Sequence, residues 1–159
     1  MTECIFTFGY EGLRLETFIS RLVSVGVQTV VDVRANPLSR KPGFSKSAFS
    51  VALKNVGISY VHMPAVGCPK PVRDRYKTDG DWEAYTCGFL SYLKKQRQAI
   101  NEIISIAEHS VTTLVCFEAD YTRCHRTYVA YAAAKAGNLR VVHITSRTEI
   151  PDLKTLAAA

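Results

Sequence analysis

Apolar residues in this chain fall into short solid blocks, separated by longer stretches in which they recur every three or four positions. The blocks Cys4–Phe8, Thr29–Val33, Ile58–His62, Thr112–Phe117 and Arg140–Ile144 predict five strands. Between the first two, Leu15, Phe18, Ile19, Leu22 and Val23 line one face of a helix over Leu15–Val25. A second helix is expected over Lys46–Asn55, closed by Gly57, and one long or two shorter helices over Trp82–His109. A last helix, Cys124–Ala136, is stopped by Gly137, with a thin tail from about residue 148. The stretch Met63–Asp81 is broken by Pro and Gly and predicts a long loop, a functional lid or a partly disordered segment.

Strands apolar on nearly every position, such as VVDV, TLVCF and VVHI, need cover on both faces. Alternation with helices therefore predicts an α/β fold, a three-layer α/β/α sandwich of Rossmann-like type with a mostly parallel sheet of about five strands. In open parallel sheets, ligands sit beyond the carboxyl ends of the strands. The loops after Phe8, Val33, His62, Phe117 and Ile144 are expected at that one edge.

Size and composition narrow the picture. The 159 residues, 47% hydrophobic, suffice for one domain over 1–159, and no repeat or linker divides them. No apolar run approaches the ~20 residues of a membrane span, and MTECIFTFGYEG has no basic region ahead of an apolar core. A soluble, cytoplasmic protein without membrane association is expected. Its five cysteines, an odd set without regular spacing, read as reduced thiols. A net charge of +6 favours anionic partners, either a small molecule or nucleotide or a nucleic acid, and leaves oligomeric state open.

The densest chemistry lies in TLVCFEADYTRCHRTYVAYAAAK, a strand, a polar turn and a helix. Cys124, His125 and Arg126 fall in the first helical turn, with Thr122 or Asp120 as the expected cap. There, unsatisfied N–H groups and the helix dipole favour a thiolate and bind anions. Cys124 is thus the candidate nucleophile, His125 and Glu118 acid/base candidates, and Arg126 a clamp on an oxyanion. The bland alternative buries Cys124 and pairs Arg126 with Glu118 or Asp120. Cys116, Cys124 and His125 lack a paired CxxC or HxxxH spacing, so no metal centre is expected and no cofactor is required.

Other strand ends add candidates. Gly9 and Tyr10, in Gly9-Tyr10-Glu11-Gly12, suit a phosphate cradle with a stacking or hydrogen-bonding ring, or a plain tight turn. Asp32 interrupts an apolar strand and must find a partner. It is either an acid/base group, with Arg34, Arg40 and Lys46 holding an anion, or the structural partner of Arg34. His62 closes the third strand as a binding or a purely structural residue. Lys70, Arg73, Arg75, Tyr76 and Lys77 suit a phosphate-bearing ligand or form a solvated surface.

GYEG, VVDVRANPLSRKPGFSK, GISYVHMPAVG and CFEADYTRCHR, in that order between about Phe8 and Arg147, closely resemble the bacterial and archaeal family of domain of unknown function 488, which includes YeaO-like proteins. The resemblance implies an α/β fold and brings no established reaction. Ala65-Val66-Gly67-Cys68-Pro69 departs from the Leu-Gly-rich turn that the family pattern implies. The chain is more faintly similar to rhodanese-like domains in its DVR segment and its cysteine after a central strand. That similarity would imply a sulfurtransferase with Cys116 as nucleophile, but acidic residues occupy the cradle loop, and Thr122 stands where a Cys-x5-Arg pattern needs Arg. The leading expectation is a small hydrolase or group-transferase acting on a phosphate- or nucleotide-containing anion. The alternative is a non-catalytic nucleotide or nucleic-acid binding module.

Overall fold

A computed structural model describes residues 3–156. One mixed sheet runs through it in the order β3-β2-β4-β1-β5-β6. Strands β1 (Cys4–Gly9), β2 (Thr29–Asp32), β3 (Ser59–His62), β4 (Thr112–Cys116) and β5 (Arg140–Ile144) are parallel, and β6 (Glu149–Pro151) pairs antiparallel with β5. The expected α/β sandwich is what the chain forms, with β6 added.

Strand alternation divides the core in two. Val30 and Val115 face one side, with α1 (Leu15–Val25) and α2 (Lys46–Asn55) supplying Phe18, Leu22, Phe49 and Leu53. Their neighbours Val31 and Leu114 face the other side, covered by α4 (Trp82–Leu93), α5 (Arg97–His109) and α6 (His125–Gly137) through Phe89, Ile103 and Ala130. All four residues of β2 and all five of β4 are buried, as strands covered on both faces must be.

Of the two forms expected over Trp82–His109, the chain takes the second, two helices, α4 and α5, parted at Lys94–Gln96. Two expectations are corrected. The stretch Met63–Asp81 is no open loop: after a 3-10 turn at Pro64–Val66 it forms α3, Lys70–Asp79. Its prolines mislead because Pro71 sits in the first helical turn, where a missing N–H costs nothing, and Gly80 caps the end at φ 64°. Ion pairs Lys70–Asp74 and Arg75–Asp79 brace a helix that buries no residue fully. The tail is also tied down. After β6, the Asp152 carboxylate accepts from Tyr131 Oη (2.6 Å) and His143 Nε2 (2.9 Å), and α7 follows at Leu153–Leu156.

Register gathers the chemistry. Gly9 lies beside Cys116, and Asp32 lies between His62 and Val115, so the carboxyl ends of four strands share one edge. Among the described residues, no helix is long and apolar enough to cross a membrane.

Candidate functional site

A crevice of about 680 Å³ opens above that edge. Its floor is the turn between β4 and α6. Cys116 ends β4 and is 1% exposed, while Cys124, 2% exposed, is the residue that caps α6. Asp120, one of the two caps expected for that helix, instead caps the intervening 3-10 turn Tyr121–Arg123, accepting from the Thr122 amide at 2.9 Å. The Thr122 bonds hold the Asp120 carboxyl below its ordinary range.

Both thiols donate to one atom. Cys116 Sγ and Cys124 Sγ each lie 3.3 Å from Glu118 Oε2, and all three side chains line the crevice. Beneath them, Arg126 is fully buried. It donates to Cys116 Sγ at 3.1 Å and to the Glu118 carbonyl oxygen, so it shapes the acidic turn from below. Burial works against its charge, but the surrounding sulfurs hold it protonated. Its carboxylate neighbours are not its partners, which corrects the pairing with Glu118 or Asp120 side chains. Burial raises the Cys116 thiol well above its ordinary range, with hydrogen bonding to Cys124 adding to the rise. The nucleophile of a rhodanese-like arrangement would therefore sit here as a neutral, enclosed thiol.

His125 lies against Phe89 at the crevice wall and donates from Nε2 to the Val33 carbonyl oxygen at 2.9 Å. That bond leaves Nδ1 as the proton-accepting nitrogen of the neutral ring. The helix start thus presents Cys124 and His125 upward and Arg126 downward.

The second strand end is an interlocked unit. Arg34 Nε and one terminal nitrogen bind the two Asp32 oxygens at 2.8 and 2.7 Å; the other terminal nitrogen donates to Tyr10 Oη (3.0 Å) and to the Phe44 carbonyl oxygen (2.7 Å). Burial opposes the Arg34 charge, but Asp32 outweighs it and holds the guanidinium protonated. Tyr60 Oη donates to Asp32 at 2.5 Å, and burial together with that bond raises the phenol above its ordinary range. Tyr10 lies stacked on Phe44, centroids 4.2 Å apart. Asp32 is fully buried and does not line the crevice, so it acts through Arg34, which with Tyr10 does line it.

Other expected residues sit outside the crevice lining. Gly9 is closed off by the chain itself: a Cβ there would meet the Glu118 carbonyl oxygen at 1.7 Å, so glycine admits a neighbouring backbone and not a phosphate. His62 Nε2 bonds the Arg34 carbonyl oxygen at 2.9 Å. Lys46 is exposed at the start of α2 and away from the crevice walls. Arg40 does line the crevice, exposed at its rim.

Sequence reasoning missed much of the far wall. Cys68, Trp82, Tyr85 and Arg123 line it unforeseen; Arg73, Tyr76 and Lys77, which the sequence did offer for a phosphate-bearing ligand, join them from the unexpected helix α3. Trp82 stacks on Tyr85 with centroids 4.6 Å apart. Burial lifts both the Cys68 thiol and the Tyr85 hydroxyl above their ordinary ranges. The available signal was the aromatic spacing Tyr76, Trp82, Tyr85 beside the basic run. For cation binding, one group of three donors converges among the described residues: Cys116, Glu118 and Cys124, with ligand atoms within 4.8 Å of one another.

The family model described as Domain of unknown function DUF488 matches residues 14–133, which take in α1, α2, the crevice floor and most of α6. The chain belongs to that family. No curated protein and no solved structure matches the chain significantly. For this DUF488 chain, the matched region holds every crevice residue above except Tyr10 and Glu11.

Proposed function

We propose that the crevice is the active site of a small cytoplasmic hydrolase or group-transferase acting on an anionic, phosphate- or nucleotide-containing substrate. The observation that carries the reading is the Cys124 thiol held 3.3 Å from Glu118 Oε2 at the floor of a crevice rimmed by cations. A nucleophile paired with a proton acceptor is the minimal equipment for covalent group transfer. Cys124 passes its proton to Glu118, and the sulfur attacks the electrophilic centre. The leaving group takes that proton, and water or a second substrate, deprotonated by Glu118 or His125, releases the product.

Arg40, Arg73, Lys77 and Arg123 hold substrate charge, and the Trp82–Tyr85 stack offers a face to a planar base. Tyr10 and Arg34 orient the near wall, with Asp32 as the positioning residue beneath them. Arg126 positions the floor and does not touch substrate. The same exposed cations and aromatics favour one second reading, a binding module for a nucleotide or nucleic acid without turnover.

The test is pH-dependent alkylation of each cysteine, followed by mass spectrometry, with and without phosphate and ribonucleotides. The expected result is that Cys124 is alkylated and that a nucleotide protects it. Inert behaviour of Cys124 at all pH values, with nucleotide bound, leaves the binding module standing in its place.

A further inference from the structure

We infer that Cys116, Glu118 and Cys124 form a site for one thiophilic divalent cation of the zinc type, whose open fourth position faces the crevice. The sequence spacing gave no sign of it, because the third donor is the intervening carboxylate and not His125. Both sulfurs stand 3.3 Å from Glu118 Oε2, and the three donor atoms lie within 4.8 Å of one another. In a tetrahedral zinc site, with Zn–S near 2.3 Å and Zn–O near 2.1 Å, neighbouring donors are roughly 3.6 Å apart. The two S···O separations therefore need about 0.3 Å of adjustment, and the two sulfurs, no more than 4.8 Å apart against about 3.8 Å in such a site, need to close by about 1 Å at most.

Charge supports the same conclusion. Two thiolates and a carboxylate carry three negative charges, too many for a nearly enclosed turn. A divalent cation and the buried Arg126 guanidinium, already 3.1 Å from Cys116 Sγ, supply three positive ones. Arg126 then serves as the outer partner that orients a thiolate ligand. Two sulfurs select zinc-like ions over magnesium or calcium. Three protein ligands leave one position open, and the side on which the crevice lies is where it opens.

This inference rests on the reading that the crevice floor is the reactive centre, and it adds a regulatory state. Loading replaces two S–H protons with metal–sulfur bonds and releases those protons to solvent; Cys124 and Glu118 are then ligands, unavailable as nucleophile and base. The loaded protein is the thiol-protected form.

The test is titration of the reduced, chelator-treated full chain with Co²⁺, followed by displacement with Zn²⁺. One equivalent of cobalt is expected to bind with a thiolate-to-cobalt charge-transfer band and the visible bands of a four-coordinate ion. Mapping by alkylation should show Cys116 and Cys124 shielded while exposed Cys87 still reacts. Cys116→Ser is expected to weaken cobalt binding by about 100-fold or more, because one of its thiolate ligands is gone. Cys87→Ser should leave cobalt binding unchanged. Absence of the charge-transfer band, or a band with Cys116 and Cys124 still alkylated, overturns the inference, and this wild-type mapping decides even where Cys116→Ser fails to fold. If cobalt does not bind yet a nucleotide protects Cys124 in the metal-free protein, the metal site fails and the proposed activity stands. If cobalt binds as described and no anion alters Cys124 reactivity, the metal site stands and the proposed activity fails.

Discussion

Gly9→Ala adds one methyl group, and the structure states what it would strike. The new Cβ would sit 1.7 Å from the Glu118 carbonyl oxygen, 2.5 Å from its carbonyl carbon and 3.0 Å from an Arg126 terminal nitrogen. Even the shortest tolerable contact, 3.0 Å, requires about 1.3 Å of separation from that oxygen, and the obstacle is backbone that no rotamer change can move. Overpacking of this kind costs about 1–3 kcal/mol. Opening the turn also weakens the charge-assisted bond from Arg126 to the Glu118 carbonyl, a further ~1.5–3 kcal/mol. It strains the bonds from the Tyr10 amide to the Cys116 carbonyl oxygen and from the Glu11 amide to that of Phe117. The expected destabilisation is about 3–6 kcal/mol, which lowers a urea midpoint by about 1.5–3 M for a slope near 2 kcal/mol per M. Gly12→Ala is the control. Gly12 has φ +78° with nothing within 4 Å of a Cβ, so alanine meets backbone strain without collision and costs about 1–2 kcal/mol. A Gly9→Ala midpoint within about 0.5 M of wild type, about 1 kcal/mol at that slope, with crevice thiols alkylating as before, refutes the close approach and restores a ligand-facing role for that glycine.

Asp32→Asn should cost about 3–5 kcal/mol by denaturant unfolding, since it strands the buried Arg34 charge and weakens the Tyr60 bond; a loss under 1 kcal/mol would mean that the pair contributes little. In the folded chain, burial holds His143 below its ordinary value despite the opposing Asp152 carboxylate, so the ring stays neutral while the unfolded chain protonates near pH 6.5. Protonation therefore favours unfolding: this contribution is full above about pH 6.5 and declines as pH falls, and His143→Gln should flatten the slope of stability between about pH 7 and pH 5. An unchanged slope assigns it to other groups. Glu118→Gln should lower any turnover found on phosphoesters or nucleotides by about 10²–10⁴-fold; if it leaves every such turnover intact, Glu118 is no acid or base. Ligand binding to a pocket of this size should weaken only modestly between 50 and 200 mM salt, whereas a loss of ~10³-fold or more would favour nucleic acid held through many phosphates.

What could be read from the sequence followed from period. Solid apolar blocks gave five parallel strands because a strand buried on both faces favours apolar residues at successive positions, as Leu114 and Val115, buried on opposite faces of β4, illustrate. α3 escaped for the opposite reason: it buries nothing fully, its charges pair along its own surface, and its prolines imitate a loop. The tail escaped because β6 is three exposed residues whose anchorage comes from Asp152, Tyr131 and His143, partners distant in sequence. At the site, residues on one turn were legible because adjacency in the chain becomes adjacency in space. The wall from α4 was not, because nothing in the local pattern says that Trp82 and Tyr85 line the same crevice as Cys124.

Arg34 and Arg126 show why charged residues at strand ends mislead a reading based on charge alone. Each was expected to hold a substrate anion, and each is instead committed to the chain. Four of the five N–H donors of Arg34 are used within the protein, and Arg126 is fully buried beneath the turn that it supports. Desolvating a guanidinium is costly, so a chain that buries two of them beneath one crevice gains shape from them: fixed donors that hold Tyr10 in one wall and Glu118 in the floor. Under the proposed function, substrate charge would fall to the exposed cations Arg40, Lys77 and Arg123, whose removal should cost affinity with little loss of stability. On that proposal, binding and architecture fall to different cationic side chains, and mutation should separate the two.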